Sequence, residues 1–252
     1  MSLQGKVAVI TGGTRGLGRS IAEAYLAAGA HVLYAGRGGA WPAESLTAES
    51  LTAESVTAER SAFAPVDVTD AASVTGLFEI ARERFGRVDV VVANAGISRP
   101  GAIADLAEPS WDEVIATNLT GVFRTVRAAV PHLRKEGGRI ITVSSVLAGR
   151  AVPAAGAYAA SKAGVEALTR TAAVELAPLG ITVNCLAPGF IAAGMGLALT
   201  SNEQVWSHFS TKLAGGRVGT AAEVARAAVF LAGPDSDYIN GHILEINGGL
   251  RW

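Results

Sequence analysis

The feature that most constrains this chain is alternation: near-continuous apolar runs trade places with amphipathic, helix-period segments from one end to the other. Val7–Thr11, His31–Ala35, Ala62–Val66, Val88–Ala93, Arg139–Ser144, Ile181–Leu186 and Ile243–Ile246 read as strands. Between them, Ser20–Ala28, Ala71–Phe85, Ser110–Leu133, Ala159–Ala177 and Ala221–Leu231 carry apolar residues at helical spacing. Strands that are apolar on both faces and separated by helices fit a parallel sheet covered on each side. The expected class is α/β, a doubly wound seven-stranded parallel sheet with helices on both faces.

At 252 residues the chain is at the upper end of what one core organises, and no Pro-, Gly- or Ser-rich linker divides it. A single domain over residues 1–252 is therefore expected. Half the residues are apolar and 17% charged, which supplies a core and argues against disorder. With 21 Lys and Arg against 22 Asp and Glu, no global field draws in nucleic acid or an anionic bilayer. The single cysteine, Cys185, reads as a small core residue and fits a reducing compartment. The apolar run before Gly12 is too short for a secretory signal, so the expectation is cytoplasmic, with no membrane partner. The uncharged stretch Leu176–Asn202 is broken by Pro178, Gly180, Pro188, Gly189, Gly194 and Gly196, and is not a membrane helix. Ala43–Glu59 repeats A-E-S-L-T, A-E-S-L-T and A-E-S-V-T. Steps of five residues advance about 140° round a helix, so Leu46, Leu51 and Val56 form no single stripe. A peripheral duplicated segment is expected there.

After the first strand comes Thr11-Gly12-Gly13-Thr14-Arg15-Gly16-Leu17-Gly18, with a helix expected to open at Arg19 or Ser20. Strand, glycine turn and helix, in that order, aim free N–H groups and the positive helix end at a pyrophosphate. Gly12 allows the tight turn, Gly16 the approach of phosphates, and Gly18 close packing of the helix on the sheet. The second strand ends at Ala35-Gly36-Arg37, without the acidic residue that would hold a ribose 2′-OH. Arg37 and Arg15 could clamp a 2′-phosphate, which favours NADP(H) while leaving NAD(H) possible; two solvated surface arginines is the competing reading.

Tyr158 and Lys162 stand four apart near the start of a helix, on one side of it. An ammonium beside a phenol favours the phenolate, so a lowered tyrosine pKa is expected. Ser145 closes the fifth strand, at the carboxyl end where open parallel sheets bind substrates, and its hydroxyl can polarise a carbonyl. Ser144 reads as a small residue ending the strand. No nucleophile elbow, P-loop or H-E-x-x-H occurs, and the four histidines lack ligand spacing, so no metal site is expected.

Over essentially its whole length, the sequence resembles the short-chain dehydrogenase/reductase family. The resemblance rests on Thr11-Gly12-x-x-x-Gly16-x-Gly18, Asp67-Val68, Asn94-Ala95-Gly96, Asn118, Ser145, Tyr158-x-x-x-Lys162 and Pro188-Gly189. It implies a Rossmann-type fold, adenine contacts from Asp67 and Val68, and a cofactor groove lined by Thr14, Leu17, Asn94 and Gly96. It also implies a nicotinamide cover from Pro188, Gly189 and Ile191, ribose contacts from Tyr158 and Lys162, and an Asn118 that holds a water linking Lys162 to solvent. A homotetramer is implied as well. Family members often carry Thr shortly after the Pro-Gly pair, whereas Phe190-Ile191-Ala192-Ala193-Gly194 has no hydroxyl.

Together these readings describe hydride transfer between NADP(H) and a small-molecule ketone or secondary alcohol, with Tyr158 as general acid/base, Ser145 positioning the oxygen, and Lys162 and Asn118 assisting. Residues 190–216 are expected to form a substrate lid, with Leu147, Met195 and Trp206 as apolar contacts. Arg99 and Arg150 could meet an anionic substrate. The alternative is a non-catalytic NADP(H)-binding sensor or scaffold; such proteins usually lose the Tyr, Lys or Ser that are all present here.

Overall fold

A computed structural model describes residues 2–39, 59–133, 137–200 and 203–251. Seven strands form one parallel sheet: β1 (Val7–Thr11), β2 (His31–Gly36), β3 (Ser61–Pro65), β4 (Val90–Ala93), β5 (Gly138–Val143), β6 (Ile181–Pro188) and β7 (Ile243–Ile246). Their order is β3-β2-β1-β4-β5-β6-β7. The order reverses between β1 and β4, where Thr11 sits opposite both Ala35 and Ala93. At such a switch point, crossovers leave in opposite directions and a crevice opens beyond the carboxyl ends of the strands.

Eight helices cover the sheet among the described residues: α1 (Gly16–Ala27), α2 (Ala71–Phe85), α3 (Glu108–Ile115), α4 (Gly121–Ala129), α5 (Gly156–Leu176), α6 (Met195–Thr200), α7 (Glu203–Ser210) and α8 (Ala221–Ala232). Because alternate strand residues face opposite sides, β1 feeds two apolar layers. Ala8 and Ile10 pack with Ile21 and Tyr25 of α1 and with Val224 and Leu231 of α8. Val9 joins Phe78 of α2 and Val165 of α5 on the other face. The buried Tyr25 hydroxyl donates to the Ala228 carbonyl at 3.0 Å, fixing α1 against α8.

Local signals set several boundaries as read from the sequence. Helix α2 starts at an Asp70 cap that accepts from the Ala72 N–H at 2.9 Å, and stops at Gly86, whose φ is +77°. Helix α8 opens on a Thr220/Glu223 capping box. Most other bounds shift by one to three residues, and two differences bear on the site. Helix α1 begins at Gly16, not Arg19 or Ser20, so Gly16 and Gly18 lie in its first turn. The expected single helix Ser110–Leu133 divides into α3, a π-helical turn over Ala116–Thr120, α4 and a 3-10 turn over Val130–His132. Gly121 follows the π turn because it lies against Val68, whose Cγ2 would be 2.8 Å from any Cβ placed there. Leu176–Asn202 contains β6 and the short α6, and no described helix is long and apolar enough to cross a membrane. The repeat Ala43–Glu59, except Glu59, lies outside the described residues.

Candidate active site

The glycine turn leaves the end of β1 and runs into α1. Gly12 has φ +66°, and a Cβ on it would be 2.9 Å from the Ala95 Cα. A Cβ on Gly18 would lie 2.2 Å from the Gly12 carbonyl oxygen, so only glycine lets the helix start this close to the turn. The Asn94 amide donates both its hydrogens to the turn, to the Thr11 carbonyl at 3.0 Å and the Gly12 carbonyl at 3.1 Å. Its side chain therefore braces the turn. Helix α1 has no side-chain cap and no acidic residue in its first turn. A helix start without a side-chain cap or an acid beside it presents leading N–H groups and a positive end, which fits a pyrophosphate.

Around that turn, Thr14 packs against Gly36 at the end of β2, where a Cβ would be 3.1 Å from the Thr14 Oγ1. Arg15 and Arg37 are exposed on either side of this contact, and Leu17 is half-buried on the α1 layer. The Asp67 carboxylate accepts from the Thr69 hydroxyl at 2.7 Å and the Thr69 N–H at 2.8 Å. These bonds hold its pKa below the usual carboxylate range, assisted by the charges of Arg37 and Arg124. Val68 is buried against Gly121, and its carbonyl accepts from Arg124 at 3.5 Å.

Ser145, Tyr158 and Lys162 meet at the carboxyl end of β5. Ser145 caps the 3-10 turn Val146–Ala148, its Oγ accepting from the Leu147 N–H at 3.2 Å. Lys162 is 3% exposed; its Nζ donates to the Val143 carbonyl at 2.7 Å and lies 5.6 Å from the centre of the Tyr158 ring. Burial pushes the lysine pKa down to about 8. Burial also pushes the Tyr158 phenol above its ordinary value, while the Ser145 hydroxyl beside it pulls the other way. The lowered tyrosine pKa expected from the sequence is thus not found. The ammonium is held over the ring by a strand carbonyl, and burial decides the direction for the phenol. Ser144, 2% exposed, bonds the Lys162 carbonyl and the Glu166 carboxylate, each at 3.1 Å, and so ties β5 to α5.

Asn118 is fully buried in the π turn. Its Oδ1 accepts from the Ile97 N–H at 2.8 Å, and its Nδ2 donates to the Ile97 carbonyl at 2.9 Å and the Ser161 Oγ at 3.1 Å. Ser161 in turn donates to the Tyr158 carbonyl at 2.7 Å. With both amide hydrogens used, the side chain is a brace between the segment after β4 and α5. Gly96 adjoins it: a Cβ there would be 3.4 Å from the Asn118 Oδ1 and 3.5 Å from the Lys162 Nζ.

Beyond β6, the Gly189 N–H donates to the Ile246 carbonyl at 2.9 Å, beside Pro188, and Ile191 is buried and bridged to Gly219. The chain then crosses the glycine turn, so that a Cβ on Gly16 would be 3.2 Å from the Gly194 Cα. Leu147 and Trp206 pack on one apolar cluster with Val146, Phe190, Phe209, Leu213 and Leu250. Met195 is not brought there; it stands 49% exposed on α6. Sequence reasoning put Phe190 and Phe209 in the expected lid without singling them out, and did not single out Leu250, Arg124 or Glu245. Leu213 pairs antiparallel with Leu250, and no local pattern announces a contact between such distant residues. Among the described residues no group of three or more His, Cys, Asp or Glu could hold a metal ion.

The sequence model of a family described as enoyl-(acyl carrier protein) reductase matches residues 12–251. The chain is 38% identical over 251 residues to a 3-oxoacyl-(acyl-carrier-protein) reductase of Salmonella typhimurium, covering 99% of each. It is 37% identical to the Escherichia coli protein of the same description, again over 99% of each. The solved structure of levodione reductase superposes with a TM-score of 0.86 at 31% identity, covering 98% of this chain and 97% of that one. Given a Rossmann-type sheet, a glycine turn at its switch point, and this agreement over nearly the full length, the chain belongs to the short-chain dehydrogenase/reductase family, as an NAD(P)-dependent oxidoreductase acting on CH–OH or C=O groups.

Proposed function

We propose that the protein reduces an uncharged ketone bearing an apolar substituent, using NADP(H), with Tyr158 as general acid. The observation that carries this reading is the convergence of Ser145, Tyr158 and Lys162 beside an uncapped glycine-turn helix, at the carboxyl edge of the sheet. When bound, the nicotinamide cofactor supplies the hydride. Gly12, Thr14, Arg15, Gly16, Leu17 and Gly18 would hold its pyrophosphate region, Asp67 and Val68 its adenine, and Arg15 and Arg37 its 2′-phosphate. Asn94 and Gly96 shape the groove floor, Pro188, Gly189 and Ile191 cover the nicotinamide, and Tyr158 and Lys162 hold the adjoining ribose. NAD(H) is the weaker alternative, because the two arginines gain least from it.

Ser145 donates to the carbonyl oxygen and orients it toward Tyr158. Tyr158 delivers the phenolic proton to that oxygen; a phenol kept protonated by burial suits the acid role in reduction. Lys162 stabilises the phenolate left behind, and Asn118 keeps α5 in register through Ser161.

The substrate class rests on charge and packing. Both candidate anion-binding arginines are already paired: Arg99 bonds Glu113 twice at 2.9 Å, and Arg150 bonds Glu245 at 2.9 Å and the Val146 carbonyl at 3.2 Å. The wall formed by Leu147, Phe190, Trp206 and Phe209 is apolar, with the two phenylalanine rings 4.7 Å apart. This resembles the need of a 3-oxoacyl chain, the substrate in the descriptions of the bacterial relatives. Residues 190–216 act as the lid within a single domain, and a homotetramer is supported by the exposed Trp111, Phe123 and Val174 on α3, α4 and α5.

The test is to follow NADPH absorbance with a panel of ketones. Oxidation with apolar ketones supports the reading, and no oxidation with any carbonyl overturns it in favour of a nucleotide-binding sensor.

A further inference from the structure

Arg150 lies five residues beyond Ser145 and, with Val152, lines a groove of about 510 Å³ along the start of α5. Val152 also packs on the apolar cluster that holds Leu147 and Phe190, and the Arg150 Nη1 donates to the Val146 carbonyl at 3.2 Å, one residue beyond Ser145, so the guanidinium lies beside the strand end that carries Ser145. Its charge is met by Glu245 of β7, at 2.9 Å. The Arg150 side chain is 20% exposed and that of Glu245 46% exposed, so the pair is open to solvent and to salt at one side.

Glu245 is itself held in place. The Asn247 amide donates to the same carboxylate oxygen that meets Arg150, and the Asn247 Oδ1 accepts from the Gly249 and Leu250 N–H groups at 2.9 and 3.3 Å. That turn in turn meets the proposed lid, through the Ala214 N–H to the Gly249 carbonyl at 3.3 Å. A carboxylate fixed by its own turn, and facing the one cation that borders the groove among its lining residues, is an internal counter-ion. As a stability element such a half-exposed pair contributes little. As a filter it matters more, since it neutralises the guanidinium and sets a negative charge where a carboxylate substrate would have to approach.

We infer that Glu245 is a specificity-determining residue: by occupying Arg150, it sets the pocket to accept neutral ketones and to reject keto acids. The inference rests on the reductase reading above and on Phe190 and Trp206 bordering the pocket. Glu245 touches no reacting atom; it acts through Arg150.

The experiment compares kcat/KM for a 3-keto acid with that for its methyl ester, in the wild type, in Glu245→Gln and in the double variant Glu245→Gln with Arg150→Met. Gln retains the size and an acceptor for Asn247 but removes the negative charge that answers the guanidinium. Expected is a fall in the ester-to-acid preference of about tenfold in Glu245→Gln, or ~1.4 kcal/mol, and its return toward the wild-type value in the double variant. The gain for the acid should shrink as salt is raised from 0.05 to about 0.5 M, because an unmasked charge is screened. An unchanged preference in Glu245→Gln overturns the inference, as does an equal effect in the double variant, which would make the role merely structural. Equal kcat/KM for acid and ester in the wild type also overturns it; the reductase reading falls separately, when no carbonyl of the wider ketone panel is reduced, and unchanged ester kinetics in Trp206→Ala would remove the lid from the pocket.

Discussion

The Lys162 ammonium sits over the face of the Tyr158 ring, 5.6 Å from its centre, and is anchored 2.7 Å from the Val143 carbonyl. It is a charge placed to steady the ring and the strand end, in a setting dry enough to bring its own pKa down to about 8. An unfolded lysine titrates near about 10.4, so between these values the unfolded chain binds more protons and stability rises with pH. The stability tied to this shift is fully present only above the unfolded pKa, and is lost as pH falls through about 8. Urea unfolding of the wild type and Lys162→Met from pH 7 to 10 should show the wild type gaining on the variant over that range. A constant difference would mean the ammonium is not desolvated.

Tyr158→Phe removes the proton donor and leaves the ring packing. Turnover should drop by roughly 10²–10⁴-fold, the range for loss of a general acid. NADPH binding, followed by fluorescence titration, should weaken by no more than a few fold. A variant that keeps near-normal turnover would move the acid role elsewhere.

Arg37→Ala separates the two nicotinamide dinucleotides. Loss of one charge-assisted contact to a 2′-phosphate should raise the NADPH Kd by roughly tenfold or more. The NADH Kd should hardly move. Equal changes in both would show that Arg37 serves the surface and not the phosphate.

Ala154 has φ +64°, the only non-glycine residue with a positive φ among those described, in the loop between Ser145 and Tyr158. Its carbonyl accepts from the Gly101 N–H at 3.0 Å, which holds the loop in that shape. An L-residue there costs about 1–2 kcal/mol, partly offset by the ~0.5–1 kcal/mol of extra chain entropy that glycine loses on folding. Ala154→Gly should therefore stabilise the protein by up to about 1.5 kcal/mol in denaturant unfolding. Ala154→Val, with a branched side chain at the same φ, should destabilise it. The reverse order would show that the loop adopts another backbone in solution.

Much of this molecule was legible in its sequence because the signals are local. Val7–Thr11 and Ile243–Ile246 appear as strands with the bounds read from their apolar runs, and Ala71–Phe85 as a helix fixed by Asp70 and Gly86. The glycine turn, and the spacing that puts Tyr158 and Lys162 on one side of α5, likewise follow from periodicity and backbone sterics. The division of the helix around Asn118 did not, since a π turn follows from contacts with Ile97, Ser161 and Val68 that no window of sequence contains.

What the sequence alone determined was the alternating sheet, the glycine turn after β1 and the spacing of Ser145, Tyr158 and Lys162. Only the tertiary structure decided that Lys162 faces a ring and a carbonyl, that Asn94 and Asn118 act as braces, and that Arg150 is answered by Glu245. The physical reason is range. Propensity and periodicity act over a few residues, whereas desolvation, charge pairing and packing depend on which distant segments the folded chain brings together.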